Sequence, residues 1–244
     1  LGYLHLDQGN YAAAEPLYRR ALEIRKRALG PDHPETANFL SNLAVLYLEL
    51  GEHAAAEPLL KSALSIYEKE LGPDHTQTAK TQSNLAGTYS YLGKLIEAES
   101  LYKSALDIYE KAFGPEHSYT ATALGNLGLL LYEIGKYDKA ETLLKRGLKI
   151  REKALGPEHP DTAEYLNSLA NIYAALGKYT EAEPLYRRAL DIREKVFEPE
   201  HLLTAISLSN LAEIYSDLGN YAAAEPLHRR ALAILENALG AQHI

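Results

Sequence analysis

The sequence contains no cysteine, no methionine and no tryptophan, and only 3 of its 244 residues are phenylalanine. The first absence removes disulfides, thiolate nucleophiles and cysteine-ligated zinc. Cations are in deficit as well: 25 Lys+Arg stand against 33 Asp+Glu, for a formal charge of −8. Such a chain has no global attraction to phosphate backbones or anionic bilayers. No apolar run approaches the roughly 18 residues a membrane span requires, and the first residues lack the basic-then-apolar order of a signal peptide. The expectation is a soluble, cytoplasmic protein that binds neither nucleic acid nor membrane. Because it opens on Leu1 and has no methionine, the sequence is expected to be a segment of a longer chain. With 46% hydrophobic and 24% charged residues it has ample material for a packed core, which argues against disorder.

What the sequence does have is a period of 42. Glycine recurs at Gly9, Gly51, Gly93, Gly135, Gly177 and Gly219, and Ala-Glu at Ala14-Glu15, Ala56-Glu57, Ala98-Glu99, Ala140-Glu141, Ala182-Glu183 and Ala224-Glu225. A second punctuation, Leu29-Gly30-Pro31-Asp32-His33, separates the copies and is varied as Phe113-Gly114-Pro115-Glu116-His117 and Phe197-Glu198-Pro199-Glu200-His201. The chain is therefore nearly six copies of one unit, approximately 1–35, 36–77, 78–119, 120–161, 162–203 and 204–244.

Each copy reads as two helices. From Thr36 to Leu50 the residues Ala37, Leu40, Leu43, Ala44, Tyr47 and Leu50 follow helical spacing, and Gly51 supplies a left-handed stop. A second helix runs from about His53 to Leu71 and ends at Gly72-Pro73, because proline cannot continue the hydrogen-bond ladder. Acid-before-base pairs four residues apart (Glu15/Arg19, Glu57/Lys61, Glu99/Lys103, Glu141/Lys145, Glu183/Arg187, Glu225/Arg229) support the second helix. One helix pair cannot bury its apolar face alone, so stability must come from stacking neighbours. The predicted fold is all-α, an α-solenoid of antiparallel helix pairs.

Signals for chemistry are weak. Six histidines form a column (His33, His75, His117, His159, His201, His243), but one per repeat places neighbours roughly 10 Å or more apart, too far to share a metal ion. Each follows an acid or a polar residue, and the spacing predicts the acid as helix cap and the histidine as loop packing. Glycine and lysine at Gly87, Gly93 and Lys94, or at Gly128, Gly135 and Lys136, lack the spacing of a phosphate loop and lie in helical segments. No turn presents a nucleophile, so no enzyme activity, no metal and no cofactor is expected. Residues 9–22 recur at 219–232 with only Tyr18 changed to His228, and neither end carries a polar capping helix, so head-to-tail association of the ends is expected.

The spacing of Leu40, Leu43-Ala44, Tyr47, Gly51, Ala56, Leu60 and Ala63 matches the tetratricopeptide repeat (TPR) signature, in which W-x2-L-G-x2-Y is followed by A-x3-F. The chain resembles a TPR array, and the resemblance implies a right-handed superhelix. Ordinary TPR units have 34 residues and these have eight more. The form Ala-Glu-Pro-Leu-Tyr-Arg-Arg-Ala-Leu with Leu-Gly-Pro-x-His is similar to the repeats of kinesin light chains. Units of this length also occur in larger bacterial signalling proteins, so a sensor or oligomerisation array of such a protein is the alternative to an interaction scaffold.

The resemblance implies that the concave wall is built from the first helix of each pair and that an extended peptide lies there on asparagines and charged residues. The matching column is Asn42, Asn84, Asn126 and Asn210, interrupted by Ser168. A carboxamide can grip a peptide bond from both sides; it can equally bond the adjacent repeat, and the two roles can coexist. Neighbouring groove positions include Asn38, Lys80, Tyr91, Tyr132, Glu133, Asn167, Asn171 and Glu213. With Asp7, Glu49, Glu164 and Asp217 these supply six acids against one lysine. Kinesin light chains are expected to use basic groove residues for acidic, tryptophan-containing cargo, and the charge here departs from that pattern. The expectation is a neutral or basic peptide, with Tyr91 and Tyr132 as aromatic anchors.

Overall fold

The computed structural model describes residues 11–198 and 200–239. It contains eleven helices among the described residues: α1 (Tyr11–Leu29), α2 (Pro34–Glu49), α3 (His53–Glu70), α4 (Thr76–Tyr91), α5 (Leu95–Phe113), α6 (Ser118–Glu133), α7 (Tyr137–Leu155), α8 (Pro160–Ala175), α9 (Tyr179–Val196), α10 (Leu202–Asp217) and α11 (Tyr221–Leu239). Even-numbered helices are the first, or A, helices of the repeats and odd-numbered ones the second, or B, helices. The chain forms two compact units that divide between Leu130 and Leu131. In each, an A helix packs on the B helices before and after it, so each unit is an all-α solenoid of helix pairs. Asp7 and His243 lie outside the described residues.

The core follows the columns. Ala37, Leu43, Ala44, Leu46, Ala56, Leu60 and Ala63 are buried in unit 1, and Ala163, Leu166, Ala170, Ile172, Ala182 and Ala189 in unit 2. Small residues at the crossing points let backbones approach closely. Gly51 adopts φ 73°, the left-handed stop expected of it.

The capping expectation is corrected. The histidines themselves are the caps: Nδ1 of His33, His75, His117, His159 and His201 accepts the backbone N–H of Glu35, Gln77, Tyr119, Asp161 and Leu203 at 3.1–3.2 Å. Each histidine has extended φ/ψ at the four A helices where the cap angles are defined, so its ring folds over the first turn as a shorter acceptor would. The preceding acids reach elsewhere. Asp32, Asp74 and Glu158 pair with Lys69, Lys111 and Lys195, each 37 residues on, which joins a linker to the next repeat's B helix.

All six acid-before-base pairs form on the B helices. In four repeats a tyrosine of the following A helix extends the pair. The hydroxyls of Tyr47, Tyr173 and Tyr215 donate to Glu15, Glu141 and Glu183 at 2.9–3.1 Å. At Tyr89 the cation takes that place, with the Lys61 and Lys94 ammoniums both on Glu57 and Lys94 over the Tyr89 ring. The ammoniums of Lys61 and then Lys94 hold the Glu57 carboxyl below the usual carboxylate range, and the Lys145 ammonium does the same for Glu141, in both cases against the opposing pull of burial. Glu141 in turn pushes Lys145 up to about 12.

A carboxyl depressed in the folded state contributes stability that is complete above its unfolded pKa and is lost as pH falls through the folded value. The urea midpoint should therefore stay level from neutrality down to about pH 5 and drop below about pH 4. Glu57→Gln with Glu141→Gln should unfold more readily at neutral pH and show a shallower acid drop. An acid drop equally steep in the double variant would assign the effect to other carboxylates.

Candidate functional site

The groove side of unit 1 is made by the A helices α4 and α6 with the C-terminal end of α5 between them. A cleft of about 390 Å³ opens there, with Lys80, Asn84, Ser83 and Asn126 on the two A helices and Tyr109, Phe113 and Tyr119 along one wall. Ala123, the α6 residue on its floor, stands in the column that is Tyr165 or Ser207 in unit 2.

The wall is aromatic and layered. Tyr109 and Tyr119 stack with ring centroids 5.7 Å apart, Phe113 lies 5.1 Å from Tyr119, and the capping His117 closes the stack 4.7 Å from Phe113. Burial, reinforced by Tyr119, pushes the Tyr109 phenol up to about 12, so it remains a neutral donor. Tyr119 keeps 53% of its surface exposed, which leaves a ring face for an incoming group.

Polar groups line the other side. Among the described residues the side-chain amides of Asn84 and Asn126 have no hydrogen-bond partner, Lys80 has neither hydrogen bond nor ion pair, and Ser83 Oγ is buried without a partner. A groove that holds unspent donors and acceptors beside a bare ring can accept a polypeptide backbone and one side chain together.

The asparagine column divides by use. Asn42 donates to Asn38 at 3.2 Å within α2, and Asn210 donates to Asn167 on the neighbouring A helix at 2.9 Å. Asn171 accepts from the Tyr186 hydroxyl at 2.5 Å. The carboxamides of Asn38, Asn42, Asn167, Asn171 and Asn210 are thus engaged in the protein, and those of Asn84 and Asn126 are not. Tyr91 stands outside the cleft at the end of α4, stacked on His53 at 4.0 Å. In unit 2, Tyr132 lies 5.7 Å from Tyr137, and Glu133 and Glu213 are exposed. Tyr109, Phe113 and Tyr119 were not among the groove residues read from the sequence. Their signal was there: Tyr119 occupies a column that is otherwise Glu35, Gln77, Asp161 and Leu203.

Unit 2 shows what closes such a cleft. Arg193, in the column of Tyr109, is 6% exposed and donates to the Leu203 carbonyl at 3.2 Å and the Ser207 hydroxyl at 2.6 Å. Burial lowers its pKa, and the Asn210–Asn167 bond lies on the same A-helix face.

The tetratricopeptide repeat profile matches residues 1–69, 40–111, 77–153, 119–195 and 161–237, which together span the array. The chain belongs to the tetratricopeptide repeat family. Solved structures are similar in fold. BtubC (BKLC) from P. vanneervenii is similar over 97% of this chain and 93% of its own, with a TM-score of 0.76 and 24% identity. The nearly identical TPR-like repeats of a Podosopora anserina protein described as a "putative kinesin light chain" align over 84% of this chain and 98% of their own, with a TM-score of 0.71 and 28% identity. A Rap protein complexed with Competence and Sporulation Factor aligns over 98% of this chain and 73% of its own, with a TM-score of 0.68 and 21% identity. No curated protein matches the chain in sequence. The TPR array thus resembles that of kinesin light chains. Among the described residues no cluster of three or more His, Asp or Glu side chains could hold a metal ion, and no helix is long and apolar enough to cross a membrane.

Proposed function

We propose that this TPR array is a non-enzymatic protein-interaction scaffold that holds an extended peptide on its A-helix face, anchored in the α4/α6 cleft of unit 1. The observation that carries this reading is the pair of unspent carboxamides, Asn84 and Asn126, on facing helices beside an exposed aromatic ring. A carboxamide accepts from a peptide N–H and donates to its carbonyl, so two of them one repeat apart hold an extended backbone without reading its side chains. The aromatic wall then takes one side chain. That side chain is neutral, since the unpaired Lys80 ammonium disfavours a cation in the cleft. Basic residues elsewhere in the peptide suit Glu49, an exposed acid on the A-helix face of the same unit.

A random peptide display library selected on the protein should enrich a motif with one aromatic or aliphatic residue and no acidic excess. Asn84→Ala with Asn126→Ala should weaken the enriched peptide about tenfold or more while helicity by circular dichroism is unchanged. Asn42→Ala with Asn210→Ala, whose amides are already spent, should cost less binding. Equal losses from the two double variants, or a motif rich in Asp and Glu, would defeat the reading.

A further inference from the structure

On the other face of unit 1 the B helices α3 and α5 run side by side over α4. Between them is a trough of about 380 Å³, floored by Leu64, Leu85 and Leu101 and edged by Glu68, Glu97 and Ser100. Unit 2 bridges the equivalent gaps with its own arginines. Arg188 on α9 donates to Glu152 on α7 at 2.7 Å and to the Pro157 carbonyl at 3.1 Å, and Arg230 on α11 pairs with Glu194 on α9. In both cases the guanidinium lies 36 residues beyond its acid. The same count from Glu68 arrives at Ser104 on α5, which brings no charge.

Glu68 consequently has neither hydrogen bond nor ion pair among the described residues, and Glu97 has none either. The cation at this rim, Lys61, is committed to Glu57 at 2.6 Å. Beside Glu97 of the trough's edge is the most exposed large apolar side chain among the described residues, Ile96 at 84%. Sister repeats carry Ala54, Asp138, Thr180 and Ala222 at this position. Among these, this repeat alone has a bulky apolar residue there and leaves it uncovered, on the same helix that lacks the arginine.

We infer that the trough is a second docking site, for a partner-protein segment that carries an arginine beside an apolar side chain. The partner's guanidinium takes Glu68 as Arg188 takes Glu152, and the apolar neighbour lies on Leu64, Leu85 and Leu101 with Ile96 at the margin. The charge pattern selects this occupant. A purely apolar segment would desolvate Glu68 without compensation, and an acidic one would meet two unpaired carboxylates. A planar guanidinium forms the two parallel bonds that a carboxylate offers, which a lysine ammonium does not. The site is independent of the A-helix cleft.

The variant Ser104→Arg installs the chain's own bridge and should close the site from within, folding with a melting temperature no lower than the parent. Twelve-residue random peptides displayed and selected on the parent, after depletion on Ser104→Arg, should share an arginine adjacent to leucine, isoleucine or phenylalanine. An enriched peptide should bind Glu68→Gln and Ser104→Arg about tenfold or more weakly, and Asn84→Ala with Asn126→Ala unchanged. Replacing its arginine by glutamine should produce the same loss. No enrichment, enrichment without arginine, or affinity that Ser104→Arg leaves intact would overturn the inference.

Discussion

Gly147→Ala is expected to destabilise unit 2 by about 1–3 kcal/mol, although glycine to alanine inside a helix ordinarily stabilises by about 1 kcal/mol. The sign is reversed by one contact. A Cβ on Gly147 would stand 2.2 Å from Cε1 and 3.0 Å from Cζ of Tyr165, a ring that is only 6% exposed and cannot swing away. The other repeats have alanine at this position: Ala63, Ala105 and Ala189 are followed 18 residues on by Thr81, Ala123 and Ser207, and Ala21 by Phe39, a ring that stays partly exposed where Tyr165 is buried. Tyrosine and glycine are therefore one solution to a volume that the other repeats divide differently.

Tyr165→Thr alone should leave a void and cost about 3 kcal/mol. The double variant, which rebuilds the Ala63/Thr81 combination, should be more stable than the sum of the two losses by at least about 1 kcal/mol. Urea unfolding followed by circular dichroism measures all three. A Gly147→Ala protein as stable as its parent would show that the α7/α8 contact relaxes freely.

The second large effect concerns a column of buried threonines. Thr36, Thr78, Thr120, Thr162 and Thr204 are fully buried at the start of successive A helices. In the first four, Oγ1 donates to the carbonyl of the linker glycine six residues earlier, Gly30, Gly72, Gly114 or Gly156, at 2.8–2.9 Å. These glycines have φ of 91–96°, a conformation that turns the carbonyl toward the helix start. The fifth linker has Glu198 in place of glycine, without the positive φ, and the buried Thr204 hydroxyl has no partner among the described residues.

One substitution should therefore have opposite consequences in two repeats. Thr78→Val removes a donor and leaves the Gly72 carbonyl only the longer backbone bond from His75 N–H at 3.3 Å, for an expected loss of about 1 kcal/mol. Thr204→Val removes a hydroxyl that is already orphaned and should be neutral or stabilising. If the two valine variants lose the same stability, the threonines act through packing volume and the hydrogen bond to glycine carries nothing.

How much of this was readable beforehand depends on whether a relation lies within one helix or between helices. The acid-before-base pairs, the helix limits and the glycine stops follow from 3.6 residues per turn and from left-handed φ. Both are local, so spacing alone located them. The capping histidines were misassigned for the same local reason. Asp32 and Asp74 are better caps in isolation, and only the lysines of the following repeat, 37 residues away, draw them off. Asparagine column members are indistinguishable as letters, yet Asn210 spends its amide on Asn167 and Asn84 spends its own on nothing.

The sequence by itself determined the 42-residue period, the helix pairs and membership in the TPR family, because a repeat that cannot bury its apolar face alone leaves stacking as its stable arrangement. Only the tertiary structure decided which polar groups are left over for a ligand. Whether Arg193 closes a cleft, whether Tyr165 needs Gly147, and whether Glu68 finds an arginine are questions of distance across packed helices, and a spacing rule holds no information about which neighbour arrives first.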